Sequence, residues 1–396
     1  MTQAVVVDPN SDAFRYDAMP LFQRLLREQP LTRLATGGVL LCRREDVEWA
    51  LTSHDVRRPT QWSVNRKPEG PFREFGRNNM ISMNPPEHTR FRHAIMPAFS
   101  RKRTEEMTAF VEQTCDALLD AMADKRECDF IADFAMPLPV TVICRLLGVP
   151  TTDEKLFRDG SAAMLAGLEI TATPEEFERA TAGARALFEF RHDIARSRAR
   201  QPGDDLLSLL IENERAGRLT RDEVVWATIT LLIAGHETTT HLIGNGLLAL
   251  VRNPDQMALL TQNTTLAANA VEEFLRYDPP LYVLFREMAT DADVCGERVP
   301  AGTLLMLSIA AANRDPRVFS DPDSLVLERA NARDNLSFAA GRHLCAGHAL
   351  ARLEGRIAFS RIVERLRDVR LAAEPTPRAG VMFKGYHDMP IAYAPR

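Results

Sequence analysis

The longest apolar run of the chain, Val224 to Val251, is long enough to cross a bilayer, but Gly235, His236, Glu237, His241 and Asn245 interrupt it. Ionisable groups in the middle of an apolar helix point to burial inside a soluble protein, with a functional site on that helix. Such a helix needs a large surrounding core. The 396 residues, 45% hydrophobic and 26% charged, are ordinary for a soluble globular enzyme that has one. The formal charge of −5, from 49 basic and 54 acidic residues, argues against a nucleic-acid binder. Met1 to Asn10 lacks the charged-then-apolar pattern of a signal peptide, so a cytoplasmic protein that does not engage a membrane is expected.

Helical spacing dominates the chain after residue 87. It predicts helices over His88 to Phe99, Arg103 to Ala123, Phe130 to Leu147, Thr152 to Leu165, Pro174 to Arg200, Asp204 to Asn213, Thr220 to Arg252, Pro254 to Gln262 and Leu266 to Tyr277. Earlier, Leu31 to Ala35 and Val39 to Cys42 flank Thr36-Gly37-Gly38, a hairpin signal, and Arg44 to Ser53 reads as a helix. From Val56 to Pro86 the periodicity fails, which predicts a long loop of the kind that often carries function. After Pro279 short alternating runs read as small strands. The fold class is therefore mainly α with a minor β portion, in a single domain over residues 1–396.

Chemistry concentrates in a few places. Six cysteines, at positions 42, 115, 128, 144, 295 and 345, form no C-x-x-C pair and no zinc-like cluster. Cys345 stands out because Gly341 and Gly347 let the chain turn tightly around its sulfur, just before a helical pattern whose dipole favours a thiolate. It reads as a metal ligand, against the plainer alternative of a buried structural cysteine. Glu273 and Arg276 share a helix face and by themselves suggest an exposed ion pair. His88 and Arg92, four residues apart, could together hold a carboxylate. Within the apolar helix, Gly235 and Thr238 can open a local notch, where Glu237 and Thr238 suit proton delivery.

These motifs together make the chain resemble a cytochrome P450, specifically a soluble bacterial one. Phe338 to Gly347 matches that family's F-x-x-G-x-H/R-x-C-x-G loop at every fixed position. Glu273 and Arg276 match its E-x-x-R pair, Ala234 to Thr238 its A/G-G-x-D/E-T element, and His88 with Arg92 its H-x-x-x-R element. The resemblance covers essentially the whole chain and implies the cytochrome P450 fold, with a long central helix over haem b. It implies that Cys345 is the axial thiolate to iron, with Phe338 beside the sulfur and Gly341 and Ala234 at the cofactor. His88, Arg92, Arg286 and His343 would bind the haem propionates, and Glu273, Arg276 and Arg329 would form a buried structural network. Thr238 and Glu237 would manage proton delivery to dioxygen.

The implied activity is a monooxygenase that inserts one oxygen atom of dioxygen into a small organic substrate by hydroxylation, epoxidation or oxidative dealkylation. The alternative is a peroxide-driven haem enzyme or a haem-based ligand sensor. By family position the pocket takes Trp62 to Met83, Met164 to Ile170, Thr230, Ile233, Ala234, Tyr282, Val283, Leu284, Met382 and Phe383. Their apolar character suits an apolar or aromatic body. Arg57, Arg58, Arg66, Lys67, Arg73 and Arg77 make the long loop basic, facing solvent, a propionate or a substrate carboxylate. No flavin or nicotinamide fingerprint is visible, so electrons are expected from a separate ferredoxin and ferredoxin reductase, with Arg101, Lys102 and Arg103 read either as a docking patch for an acidic ferredoxin or as a solvated helix start.

Overall fold

In the computed structural model, which describes residues 6–59, 69–149, 154–200 and 203–395, the long apolar run is a single helix, Arg221–Arg252. Thr220 and Glu223 start it with a capping box. The Glu223 N–H donates to Thr220 Oγ1 at 3.2 Å, and the Thr220 N–H donates to Glu223 Oε2 at 2.8 Å. Asp222 and Glu223 in the first turn and Arg252 in the last complement the helix dipole. The helix runs through Gly235 to Thr239 without a break. Gly235 marks a close approach: a Cβ at this position would lie 2.7 Å from Ile143 Cδ1.

The described residues gather into two compact units, one from residues 6–59, 115–135 and 238–395, the other from residues 69–114 and 136–237. The first carries the sheets. Its largest has six strands in the order Val6–Val7, Leu31–Leu34, Val39–Leu41, Leu304–Ser308, Val283–Met288, Val56–Arg57. The expected hairpin is present, with Leu31 opposite Leu41 and Arg33 opposite Val39. Val283–Met288 pairs antiparallel with Leu304–Ser308 and, on its other edge, with Val56–Arg57. Apolar groups of this sheet, including Val39, Leu41, Leu305 and Leu307, pack with Val47 and Leu51 of the Arg44–Thr52 helix. Leu336 closes the same cluster, and Ala339 and Ala340 rest against it. The sheet core thus reaches the base of the cysteine loop.

The second unit is helical among its described residues. The expected loop from Val56 to Pro86 contains a strand, Val56–Arg57, and a helix, Pro71–Asn78. Trp62, Arg66 and Lys67 lie outside the described residues. Pro71 is at the start of the helix, where a missing N–H is tolerated. Phe72 and Phe75, one turn apart, are buried, and the Phe75 ring lies 6.1 Å from that of Trp226. Other boundaries move by a few residues. The Arg103 to Ala123 helix divides into Arg101–Glu106 and Thr108–Met122, and Phe130 to Leu147 begins as a π-type turn before Pro137–Leu147. No helix among the described residues is long and apolar enough to cross a membrane.

Candidate active site

Cys345 is the exposed one of the six cysteines; the others are buried or half-buried. Burial holds the Cys295 thiol up at about 12 and the Cys128 thiol at about 11, so neither is a ready thiolate. Cys345 follows a short 3-10 turn, Gly341–His343, and precedes the helix His348–Arg365. Its N–H donates to the Phe338 carbonyl at 2.9 Å, which closes the loop on itself. Gly341 has φ of +67°, and a Cβ there would lie 2.8 Å from the Leu51 carbonyl oxygen. Only glycine fits both constraints. The expectation for Gly347 is corrected: its φ of −87° needs no glycine, and Ala339 takes the second left-handed position at φ 58°.

A network of buried charges fixes what lies behind this loop. Arg276 donates Nε and Nη2 to the two oxygens of Glu273 at 2.7 and 2.8 Å, and Arg329 Nε reaches both at 3.1 Å. Glu273 and Arg276 are 0% exposed, which excludes the exposed-pair reading. The remaining Arg276 donors reach the carbonyls of Asn313, Pro322 and Ser324. Two residues to which the sequence assigns no role complete the frame. Asn313 bonds the Leu275 carbonyl, Ser337 Oγ and the Leu336 N–H, tying the end of the Ala267–Tyr277 helix to the start of the cysteine loop. Glu272 accepts from Arg352 Nε at 2.6 Å, and the Arg352 guanidinium lies 4.4 Å from the Phe338 ring centroid.

On the long helix, Ala234 is exposed and Thr238 half-buried, one turn apart on the same face, whereas most of their neighbours are buried. Glu237 is buried, with its Oε1 3.7 Å from His236 Nε2. The His236 ring is held by Nδ1 bonding to the Leu232 carbonyl at 2.7 Å. Ile233 and Thr230 are buried, and Thr230 Oγ1 has no hydrogen-bond partner among the described residues. In the second unit His88 is 2% exposed and Arg92 half-buried, on one face of the helix Glu87–Ile95. Arg90, on another face, pairs with Glu223.

The proposed pocket residues near the C-terminus do come together in the first unit. The Tyr282 N–H donates to the Met382 carbonyl at 2.8 Å, and Leu281 bridges Phe383. Val283 is fully buried. The Tyr282 hydroxyl donates to Asp278 Oδ1 at 2.7 Å, and burial together with that carboxylate keeps it a protonated phenol. Among the described residues of the basic loop, Arg57 pairs with Glu287 at 2.6 Å, and Arg73 and Arg77 with Glu69 at 2.7 and 3.8 Å. Arg101, Lys102 and Arg103 also face acids, Glu105, Glu106 and Asp204. Arg286 differs. It is 3% exposed, its guanidinium donates to the Phe285 carbonyl at 2.9 Å, and burial with the Arg58 charge nearby pushes its pKa well down. A buried cation in this state suits an anionic partner.

An exposed cysteine on a glycine-turned loop and, in the same unit, a buried arginine suited to a carboxylate have the chemistry to hold a haem and its propionates. Fold and loop define the class of haem-thiolate oxygenases. The comparisons narrow it: residues 174–374 match the family model Cytochrome P450. Cytochrome P450 107B1 of Saccharopolyspora erythraea is 36% identical over 397 residues, covering 96% of each chain. Vitamin D(3) 25-hydroxylase of Pseudonocardia autotrophica is 35% identical, over 98% of this chain and 96% of its own. The crystal structure of CalO2 superposes with a TM-score of 0.93 at 30% identity, covering 98% of this chain and 99% of that one. The chain belongs to the cytochrome P450 family. It is a haem-thiolate monooxygenase whose cofactor is haem b, and it uses a small-molecule substrate, dioxygen and redox partners.

Proposed function

We propose that Cys345 supplies the axial thiolate and that this enzyme hydroxylates a largely apolar small molecule. The observation that carries the reading is the placement of Cys345: an exposed cysteine, with its own N–H bonded back to Phe338, on a loop that only Gly341 allows. When bound, the haem supplies the activation of dioxygen, and a thiolate ligand favours O–O cleavage. The chain's residues hold, orient and protonate. His88, Arg92, Arg286 and His343 bind the propionates. Phe338, steadied by Arg352, limits water at the sulfur. Glu237 and Thr238 hold a proton near the exposed face at Ala234 and pass it on through the Thr238 hydroxyl. The chain acts as a single haem domain.

The substrate is a molecule with an apolar body and one polar group. The pocket residues that the resemblance implies, Ile233, Val283, Met382 and Phe383, are apolar, and the buried Thr230 hydroxyl has no hydrogen-bond partner among the described residues. Two relatives are named for vitamin D(3) and for a steroid, the vitamin D(3) 25-hydroxylase and the steroid C26-monooxygenase of Mycolicibacterium smegmatis. Electrons come from a separate ferredoxin in the cytoplasm. A Soret-shift screen of the purified protein tests the substrate reading. Sterol-like alcohols should expel the iron-bound water, and the Thr230→Val variant should bind them about tenfold more weakly while binding matching hydrocarbons unchanged. Binding only of small, highly polar compounds would overturn it.

A further inference from the structure

The edge of the six-stranded sheet contains a reversal of charge logic. Along the antiparallel pair of Val56–Arg57 and Val283–Met288, Val56 stands opposite Met288 and Arg57 opposite Glu287. Arg57 and Glu287 are an opposite-charge pair joined at 2.6 and 2.9 Å, as cross-strand neighbours should be. One residue further, just past the end of the Val56–Arg57 strand, Arg58 comes beside Arg286. Arg58 Nη1 donates to the Phe285 carbonyl at 3.3 Å, and Arg286 Nη1 donates to that same carbonyl at 2.9 Å. Two guanidiniums therefore converge on one oxygen. Burial lowers both arginines, Arg58 to about 10, and the Arg58 charge lowers Arg286 further. No carboxylate of the described residues lies within ion-pair distance of Arg286.

Like charges opposite one another weaken a sheet edge unless an anion joins them. A carboxylate is matched to this geometry, because its two oxygens offer about four acceptor sites and each guanidinium presents a planar fork. We propose that Arg58 is a further haem-binding residue, which grips jointly with Arg286 the carboxylate of one haem propionate. The inference rests on the assignment of Arg286 to a propionate and adds a second guanidinium to the same oxygen pair. Arg57, Arg73 and Arg77 take no part in this grip, because Glu287 and Glu69 hold their charges.

The test uses the purified holoprotein and its Arg58→Gln and Arg58→Lys variants, with haem transfer to excess apomyoglobin as the readout. Arg58→Gln should release haem about tenfold faster, as expected for loss of one hydrogen bond to a charged group. Arg58→Lys, which keeps charge and loses the fork, should fall between. The decisive arm repeats the measurement after reconstitution with haem dimethyl ester, in which both propionates are uncharged; wild type and Arg58→Gln should then release it at the same rate. Equal release of ordinary haem by both proteins would overturn the proposal. If equal release is accompanied by weaker dodecanoate binding in Arg58→Gln, the carboxylate belongs to a substrate. A difference that survives esterification would make Arg58 a purely structural residue and also overturn it. Failure of the haem-thiolate assignment itself is read separately, from the wild-type carbon monoxide spectrum.

Discussion

Two sets of buried polar groups in this molecule are treated in opposite ways. Behind the cysteine loop, Glu273, Arg276, Arg329 and Asn313 answer one another and the surrounding carbonyls, so that the whole cluster is internally closed. At the sheet edge and on the long helix, Arg286 meets a carbonyl and another cation, and the Thr230 hydroxyl meets no acceptor or donor among the described residues. Burial is similar in both sets, so burial cannot explain the difference. A closed set holds backbone in place, whereas an open set is completed by what the protein binds.

The contrast is broken most easily at Arg276. Arg276→Met strands the buried Glu273 carboxylate against a single arginine, and unfolding in urea should show a loss of about 3 to 5 kcal/mol. A loss under about 1 kcal/mol would mean that the network does not hold the fold. Thr238→Ala tests the proposed proton delivery on the long helix. Haem content should be unchanged, while product formed per reductant consumed falls about tenfold and hydrogen peroxide rises to balance it. Tight coupling in that variant would remove Thr238 from proton delivery.

Arg286→Met should reverse the sign seen at Arg276. Measured after haem extraction, the variant should be at least as stable as wild type, by up to about 1 kcal/mol, because replacing a buried cation by a hydrophobic residue removes a desolvation cost. It should also take up haem more weakly. Destabilisation as large as that of Arg276→Met would erase the distinction between the sets.

Glu354 supplies the smallest effect. It is 2% exposed, its Oε2 has no hydrogen-bond partner among the described residues, and burial raises its pKa well above 4.5. The folded protein therefore holds a proton that the unfolded chain gives up. This contribution to stability is present below the unfolded value and is lost as pH rises towards the folded one. Glu354→Gln should match wild type in melting temperature at about pH 4.5 and exceed it increasingly towards about pH 9. A gap that does not change with pH would mean that Glu354 is ionised in the fold.

The closed set was only half legible in the sequence. Glu273 and Arg276 announce a shared helix face, but whether that face is solvated or buried depends on Asn313 and the 320–329 segment, which arrive from far along the chain. The cysteine loop was clearer because Gly341, Cys345 and the following helix are local. Even there, the left-handed position at Ala339 could not be read from a residue that ordinarily avoids it. The helix at Pro71–Asn78 did carry a signal, a proline followed by Phe72 and Phe75, within a window too short for periodicity to stand out. The strand Leu366–Leu371 is only half apolar and finds its partner, Pro390–Pro395, across a bulge near Arg367 and Arg370, so its pairing is set by tertiary contacts. Arg58 and Arg286 illustrate the same limit at a binding site. Their meeting at the Phe285 carbonyl is visible only once the strands are paired.

The central claim is that Cys345 is the sulfur bound to haem iron. Its most direct test is the absorbance spectrum of the reduced carbon monoxide complex, for wild type and for Cys345→Ala. Thiolate ligation predicts a strongly red-shifted Soret band in the wild-type protein and its loss in the variant. Survival of that band in Cys345→Ala, or its absence from fully haem-loaded wild type, would contradict the assignment.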